Sequence, residues 1–437
     1  MSDLWQSLSP LTQDALFLCG LLAPLVVLAG VLLRGFAPLP LIIGLFRRFF
    51  WTNLAFVLLI ALSVGLGIGL LSQERALRQG TAQAADKFDL VIAAPGSEVT
   101  AMLSAVYLQP NAVPLLGGDV WAEIAGHDDV EIAAPLAFGD SFHGLSIVGT
   151  TAAFVDYLTG GGVEGAIWEN HDQAVIGASV NLVLGDHIVP AHGHGDAADD
   201  HAHGGHEFEV VGRMEPTGTP WDRAILVPIE AVWEVHGLAN GHAPERGEQL
   251  GPPFDPDYMP GVPAVVVHST SLPTLYALRS AFDSRSDTMA FFPGTVLAEL
   301  HRLMGDVRQA MSLMALLTQG LVSASVLLAL FIMARLFQKN MAVLRAIGAP
   351  SRFICTVFWS YAMGLIVVGA GVGLGLGYAA AAGLSEVISA RTGVLMPARP
   401  GWPEFHLTAG FISLCAVAAL LPALAVLRQP VLRSLRG

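Results

Sequence analysis

Five apolar stretches, each long enough to span the hydrocarbon core of a bilayer, constrain this chain more than any other feature. A crossing takes about 20 mostly apolar residues, and runs of that length fall at roughly 15–33, 52–72, 311–334, 354–388 and 406–427. Of the 437 residues, 53% are hydrophobic and 13% charged, a balance that a soluble domain does not normally show. Lipid is therefore the solvent for much of the chain, and an α-helical transmembrane bundle is the expected fold.

The fourth stretch is too long for one straight crossing. It carries Gly369, Gly373 and Gly377 at four-residue spacing, which predicts close helix packing or an extension beyond the membrane. The first stretch ends Leu32-Leu33-Arg34, has no small-residue cleavage site and precedes a basic segment. It reads as a retained helix, not a cleaved leader.

Charge sets the orientation. Between Glu74 and Asp306 there are 32 acids and 9 bases, a net of −23, whereas the rest of the chain has 13 bases and 4 acids, a net of +9. The connecting segments 34–50, 335–352 and 428–437 hold Arg34, Arg47, Arg48, Arg335, Lys339, Arg345, Arg352, Arg428, Arg433 and Arg436 and no acid. The positive-inside rule makes these three cytoplasmic. The N-terminus, residues 74–306 and the loop near 389–405 then lie outside, and five crossings alternate correctly.

Residues 37–51 mix apolar and aromatic positions with Arg47 and Arg48, as either an interfacial helix or a simple basic flank would. The segment 74–306 is long enough for one or two soluble subdomains. Short β-prone runs start at Asp89, Ala174, Phe208, Ala224 and Val262, each bounded by turn residues. Helical patches at 98–108, 271–283 and 295–310 flank them, so this part is expected to be a large α+β extracytoplasmic domain. The last patch is expected to run on into the third crossing. Cys19, Cys355 and Cys415 all fall in predicted membrane helices, so disulfides do not build the external domain.

Catalysis finds no support. Lys87 and Lys339 are the only lysines, and neither sits in a Gly-Lys-Ser/Thr phosphate loop. His206-Glu207 is not continued into a His-Glu-x-x-His pattern, and no Gly-x-Ser-x-Gly elbow occurs. The chain is not expected to be an enzyme, and no nucleic-acid partner is expected.

The segment Met341-Ala-Val-Leu-Arg-Ala-Ile-Gly-Ala-Pro-Ser-Arg-Phe-Ile-Cys-Thr closely resembles the short cytoplasmic helix of permeases of the MacB/FtsX superfamily. The ending Arg428-Gln-Pro-Val-Leu-Arg-Ser-Leu-Arg is similar to that superfamily's tail. Ile176-Gly-Ala-Ser, Leu184-Gly-Asp-His-Ile-Val and Phe208-Glu-Val-Val-Gly-Arg-Met resemble its recurrent strand, Gly-Asp turn and Val-Val-Gly pattern. The resemblance covers residues 40–437 and implies the transmembrane subunit of an ABC transporter in a bacterial cell inner membrane. It further implies a homodimer that docks a separate ATPase through Arg345, Ala346, Ile347, Gly348, Ala349, Pro350 and Arg352. ATP-driven movement would reach the external domain by mechanotransmission. On this reading residues 1–36 are an extra N-terminal helix, 37–73 an interfacial segment with the first core crossing, 74–306 the external domain, and 307–437 three further crossings around the coupling helix 341–352. Four of the five crossings form the family core.

An insertion departs from the family pattern. His187, His192, His194, His201, His203 and His206 crowd into twenty residues interleaved with Asp196, Asp199 and Asp200. Neutral imidazole is a good zinc, copper or nickel ligand, so zinc is the candidate metal, although no cofactor is required. The alternative is a solvated low-complexity loop. Glu386 and His406, near predicted helix ends, line a substrate route or, on the plainer reading, face the outer surface. Asp140, Trp221 and Asp222 sit in turn-rich contexts that suit ordinary turn chemistry.

Export or extraction of an envelope substrate is the leading functional expectation. Regulation of an envelope hydrolase by an FtsX-like subunit without transport is the alternative, and a membrane-anchored metal sensor is a third. A periplasmic or lipoprotein partner fits any of them.

Overall fold

In a computed structural model of the chain, residues 5, 7–192, 206–247, 249–303 and 347–427 are described, with scattered positions between 305 and 343. Two compact units emerge. One comprises Met1–Ala76, Asp306–Ser385 and Pro397–Gly437, and the other Leu77–Gly305 with Glu386–Met396.

The second unit is α+β. Its first sheet has strands β1 (Leu90–Ala93), β2 (Ile132–Leu136), β11 (Ala264–His268) and β12 (Met289–Phe291) in the order β12-β1-β11-β2, all antiparallel. All of β1 and the first four residues of β11 are buried, which is why they read as unbroken apolar runs without alternation. Helices Glu98–Ala105 and Leu272–Asp283 pack on β1. Ser97 caps the former by accepting from Thr100 N.

The second sheet follows the path β5-β9-β6-β10-β4-β3-β8, with β7 paired to β9. Its strands are β3 (Asp140–Phe142), β4 (Leu145–Thr150), β5 (Val163–Gly165), β6 (Gln173–Ile176), β7 (His187–Ile188), β8 (Ala191–His192), β9 (Phe208–Met214) and β10 (Ile225–Pro228). Pairing is mixed, because β6–β9 and β10–β4 are parallel and β10–β6 antiparallel. The Gly-Asp turn before β7 closes when Asp186 Oδ2 accepts from Val183 N at 2.8 Å. The glycine of Val-Val-Gly is forced, since a Cβ on Gly212 would stand 2.2 Å from Ala166 O. One apolar core unites Ile92, Trp121, Ile176, Trp233, Phe254 and Val265.

Residues 386–396, which the sequence reading left in an outside loop or helix end, belong to this same unit. Leu395 N donates to Gly218 O at 3.2 Å, and the Arg223 guanidinium donates to Ala390 O. Asp222, expected in a turn, accepts from Thr217 N, Thr217 Oγ1 and Gly218 N and so builds one. Trp221 is fully buried and Asp140 is buried within β3.

Among the described residues three helices are long and apolar enough to cross a membrane: Pro10–Leu33, Phe50–Ala85 and Ser351–Thr392. At about 1.5 Å per residue, the 36-residue and 42-residue helices run about 54 and 63 Å. Both outrun a hydrocarbon core of about 30 Å, and their final residues belong to the α+β unit. A shorter helix, Leu39–Arg48, buries Ile42 against Ile354, Cys355 and Phe358.

The third predicted crossing lies largely outside the described residues, and each described position from 305 to 332 is helical. The helix expected over 295–310 is described as Pro293–Leu303. The fifth predicted crossing is two helices, Trp402–Ala418 and Leu420–Leu427. Pro422 explains the break, because it lacks the N–H that would bond the Ala418 carbonyl.

The N-terminal helix is bonded into the bundle. Its backbone carbonyls accept from Thr356 Oγ1 at Leu32 (2.7 Å) and from Ser413 Oγ at Leu21 (2.5 Å), and the Asp14 carbonyl lies 3.0 Å from His406 Nε2. Val26, Val27 and Val31 are exposed, as lipid-facing positions are.

Candidate functional site

The predicted docking segment ends in a turn. Ile347 N donates to Val343 O at 3.0 Å, and Pro350 O accepts from Phe353 N at 2.9 Å as the helix Ser351–Thr392 begins. Gly348 lies at φ +102°, a conformation open to glycine at no steric cost. Ile347 is 78% exposed, Gly348, Pro350 and Arg352 are exposed and Ala349 is half-buried. Arg345 and Ala346 lie outside the described residues. A protruding aliphatic side chain is chemistry suited to a protein partner.

Sequence reasoning overlooked a polar clasp in the same unit. Arg75 donates from Nη1 to Glu404 Oε2 at 2.9 Å and from Nη2 to Glu404 Oε1 at 2.5 Å, and Nη2 also donates to Arg399 O at 2.8 Å. Glu404 is fully buried, in the first turn of Trp402–Ala418. Tyr378 of Ser351–Thr392 receives the Gly401 N–H on its hydroxyl at 3.3 Å, and Ser385 meets Gln73 at 3.3 Å. Three helices therefore meet around one ion pair whose carboxylate is fully buried. The available signal was an acid at a helix start with an Arg at the end of another apolar run. His406 stacks on Trp402 with centroids 5.9 Å apart, whereas Glu386 is exposed.

The six candidate metal ligands do not converge among the described residues. His194, His201 and His203 lie outside them, and nothing is described of the His192 side chain, whose backbone in β8 pairs with Asp140 of β3. His187 in β7 is exposed and faces Glu207 at 3.5 Å, and His206 is exposed. Among the described residues no three His, Cys, Asp or Glu side chains form a metal-holding group.

Residues 312–431 match the family model of the FtsX-like permease C-terminal domain. Over this stretch, about a quarter of the chain, the protein is similar to FtsX-like permeases. The match spans the docking turn, the helix Ser351–Thr392 and the two helices that follow it. A permease domain of this kind points to a membrane setting. Among solved structures, the permease is similar to the extracellular domain of the noncanonic ABC-type transporter YknZ from Gram-positive bacteria. That similarity has 13% identity and a TM-score of 0.28, over 46% of this chain and 98% of that one. No curated protein matches the permease.

Proposed function

We propose that this permease is the membrane subunit of an ABC transporter that crosses a bacterial inner membrane five times, works as a homodimer and passes ATP-driven movement from a separate ATPase to its α+β domain. Export or extraction of an envelope substrate is the activity this arrangement serves. The observation that carries the reading is the exposed turn Ile347-Gly348-Ala349-Pro350 inside the FtsX-like match. There a helix begins whose far end belongs to the α+β unit.

The test is biochemical. Affinity-tagged permease from native membranes should retain an ABC-type ATPase, and permease in lipid nanodiscs should stimulate its ATP hydrolysis. Arg345→Glu and Ile347→Asp, one reversing the charge and the other removing the apolar contact, should each lower that stimulation at least tenfold with the permease still folded. Undiminished stimulation in both variants refutes docking through 341–352.

We further propose that the loop 192–206 captures zinc from outside. Its Gly- and Asp-rich setting gives no rigid cage, so ordering it on binding costs conformational entropy and holds affinity near the micromolar range. Deleting 192–206 should remove most zinc binding measured by calorimetry and leave ATPase stimulation intact. Wild-type zinc stoichiometry in the deletion variant would make the loop a solvated connection.

A further inference from the structure

The α+β unit buries a second group of ionisable side chains, separate from the histidine-rich loop. The helix Ile229–Val235 carries Glu230 and Glu234 one turn apart. Glu230 is 1% exposed. Its Oε1 accepts from Gly251 N at 2.5 Å and lies 3.6 Å from Nε2 of His242, whose side chain is wholly buried. One turn on, Glu234 Oε2 stands 3.3 Å from His171 Nδ1, and its Oε1 accepts from Asn240 Nδ2 at 3.4 Å. Among the described residues, no ring nitrogen of His171 or His242 finds a hydrogen-bond partner. The carboxylates are near enough for ion pairing but misaligned for a bond.

Gly251 and His242 belong to the stretches 237–247 and 249–261, which carry the short turns Pro244–Arg246 and Pro256–Tyr258 and return to the helix. Phe254 holds it there, with ring centroids 5.0 Å from Trp121, 5.6 Å from Trp233 and 5.3 Å from His242. Gly241 lies at φ +83°, with Trp233 where a Cβ would sit. The segment thus touches the helix through an aromatic contact, through the buried Glu230 carboxyl and through Asn240 on Glu234.

That carboxyl cannot hold a charge cheaply. Burial pushes Glu230 up to about 7, with Glu234 adding to the rise, while its own backbone donor, Gly251 N–H and His171 oppose it. His242 is pushed down by burial, with Arg246 and His171 acting in the same direction and Asp255 against it. A neutral imidazole therefore faces a carboxyl that takes up a proton near neutrality.

We propose that Glu230, His242 and the segment 237–261 form a proton-operated latch. With Glu230 protonated, its O–H donates to His242 Nε2 after a closing movement of under about 1 Å, because such bonds form near 2.7–2.9 Å, and Gly251 N–H still finds an acceptor. Losing the proton leaves an anion facing a neutral ring in a desolvated site, and the segment loosens so that water can reach it. The latch is a property of the α+β unit and does not depend on the transport reading.

The sign follows from linkage. The closed-state value is raised above 4.5, the value restored on opening. The Glu230 contribution is therefore complete below 4.5 and is lost as pH rises through 7, which between pH 6 and 8 raises opening about tenfold. His242, lowered in the closed state, regains its proton on opening at the acid end and offsets part of that rise, so the net growth should be about two- to threefold.

Hydrogen exchange by mass spectrometry on the full chain in detergent, corrected for intrinsic rates, tests this. Amides of 237–247 and 249–261 should open about two- to threefold more at pH 8 than at pH 6 while β11 stays unchanged. Glu230→Gln, neutral at every pH, should lose that rise and keep only the opposite, His242-driven fall. A flat wild-type profile overturns the latch even if the variant does not fold, as does a wild-type slope that persists in Glu230→Gln. Zinc that restores protection at pH 8 in the wild type but not in Glu230→Gln also overturns it, making the cluster a metal site instead.

Discussion

Gly373→Ile should unfold the membrane unit at far lower temperature than Gly371→Ile, two residues away on the same helix. A Cβ on Gly373 would stand 2.7 Å from Ala61 O and 2.9 Å from Val64 Cβ, both on the helix Phe50–Ala85. Gly369 and Gly377 repeat the contact, their added Cβ atoms 2.7 Å from the Cβ atoms of Ile60 and Ile68. Backbone stands in the way, so the helices must part, and a methyl alone in such a site costs about 1–3 kcal/mol. A β-branched side chain costs more. Gly371 has nothing within 4 Å of its added Cβ, so Gly371→Ala should gain up to about 1 kcal/mol of helix propensity. Thermal unfolding followed by tryptophan fluorescence in detergent reads both. Equal melting of the two isoleucine variants would mean that the glycine stripe is not a packing surface in the membrane.

That stripe was legible before any coordinates, because small residues at four-residue spacing in an apolar run have one common use. The same holds for the five β-prone runs, each bracketed by turn residues and each a strand. Less was legible where chemistry depends on residues far apart in sequence. Arg75 and Glu404 are 329 positions apart, and each looks alone like an interfacial charge. Glu230, His242 and His171 come together only through the fold of 237–261, a segment rich in Gly and Pro with no periodicity to read. Strands β3, β5, β7 and β8 are two or three residues long, too short for alternation to declare them. The lengths of the two long helices were underestimated, because hydropathy falls where Phe50–Ala85 leaves its apolar run at Gln73-Glu74-Arg75 while helix-forming residues continue.

Arg75→Met should destabilise the membrane unit by about 3–5 kcal/mol, the range for stranding one partner of a buried ion pair. The argument turns on which partner is left. Glu404 is 0% exposed and Arg75 is 24% exposed, so removing the arginine leaves a carboxylate with neither water nor cation. Removing the acid leaves a guanidinium that still reaches Arg399 O and solvent, and Glu404→Gln should therefore cost less. The pair encloses desolvated charge that apolar side chains of similar volume replace without penalty. Hence the double variant Arg75→Met, Glu404→Leu should be more stable than Arg75→Met alone. Gly401→Ala offers an independent route to the same state, because its Cβ would fall 1.8 Å from Arg75 Nη1 and expel the guanidinium. A double-mutant cycle on thermal midpoints in detergent measures the coupling. Single losses that simply add in the double variant would show that the two side chains do not act as a pair. Recovery in the double variant with loss of ATPase stimulation would assign the clasp to transmission, since stability would be restored while the polar joint among the three helices was gone.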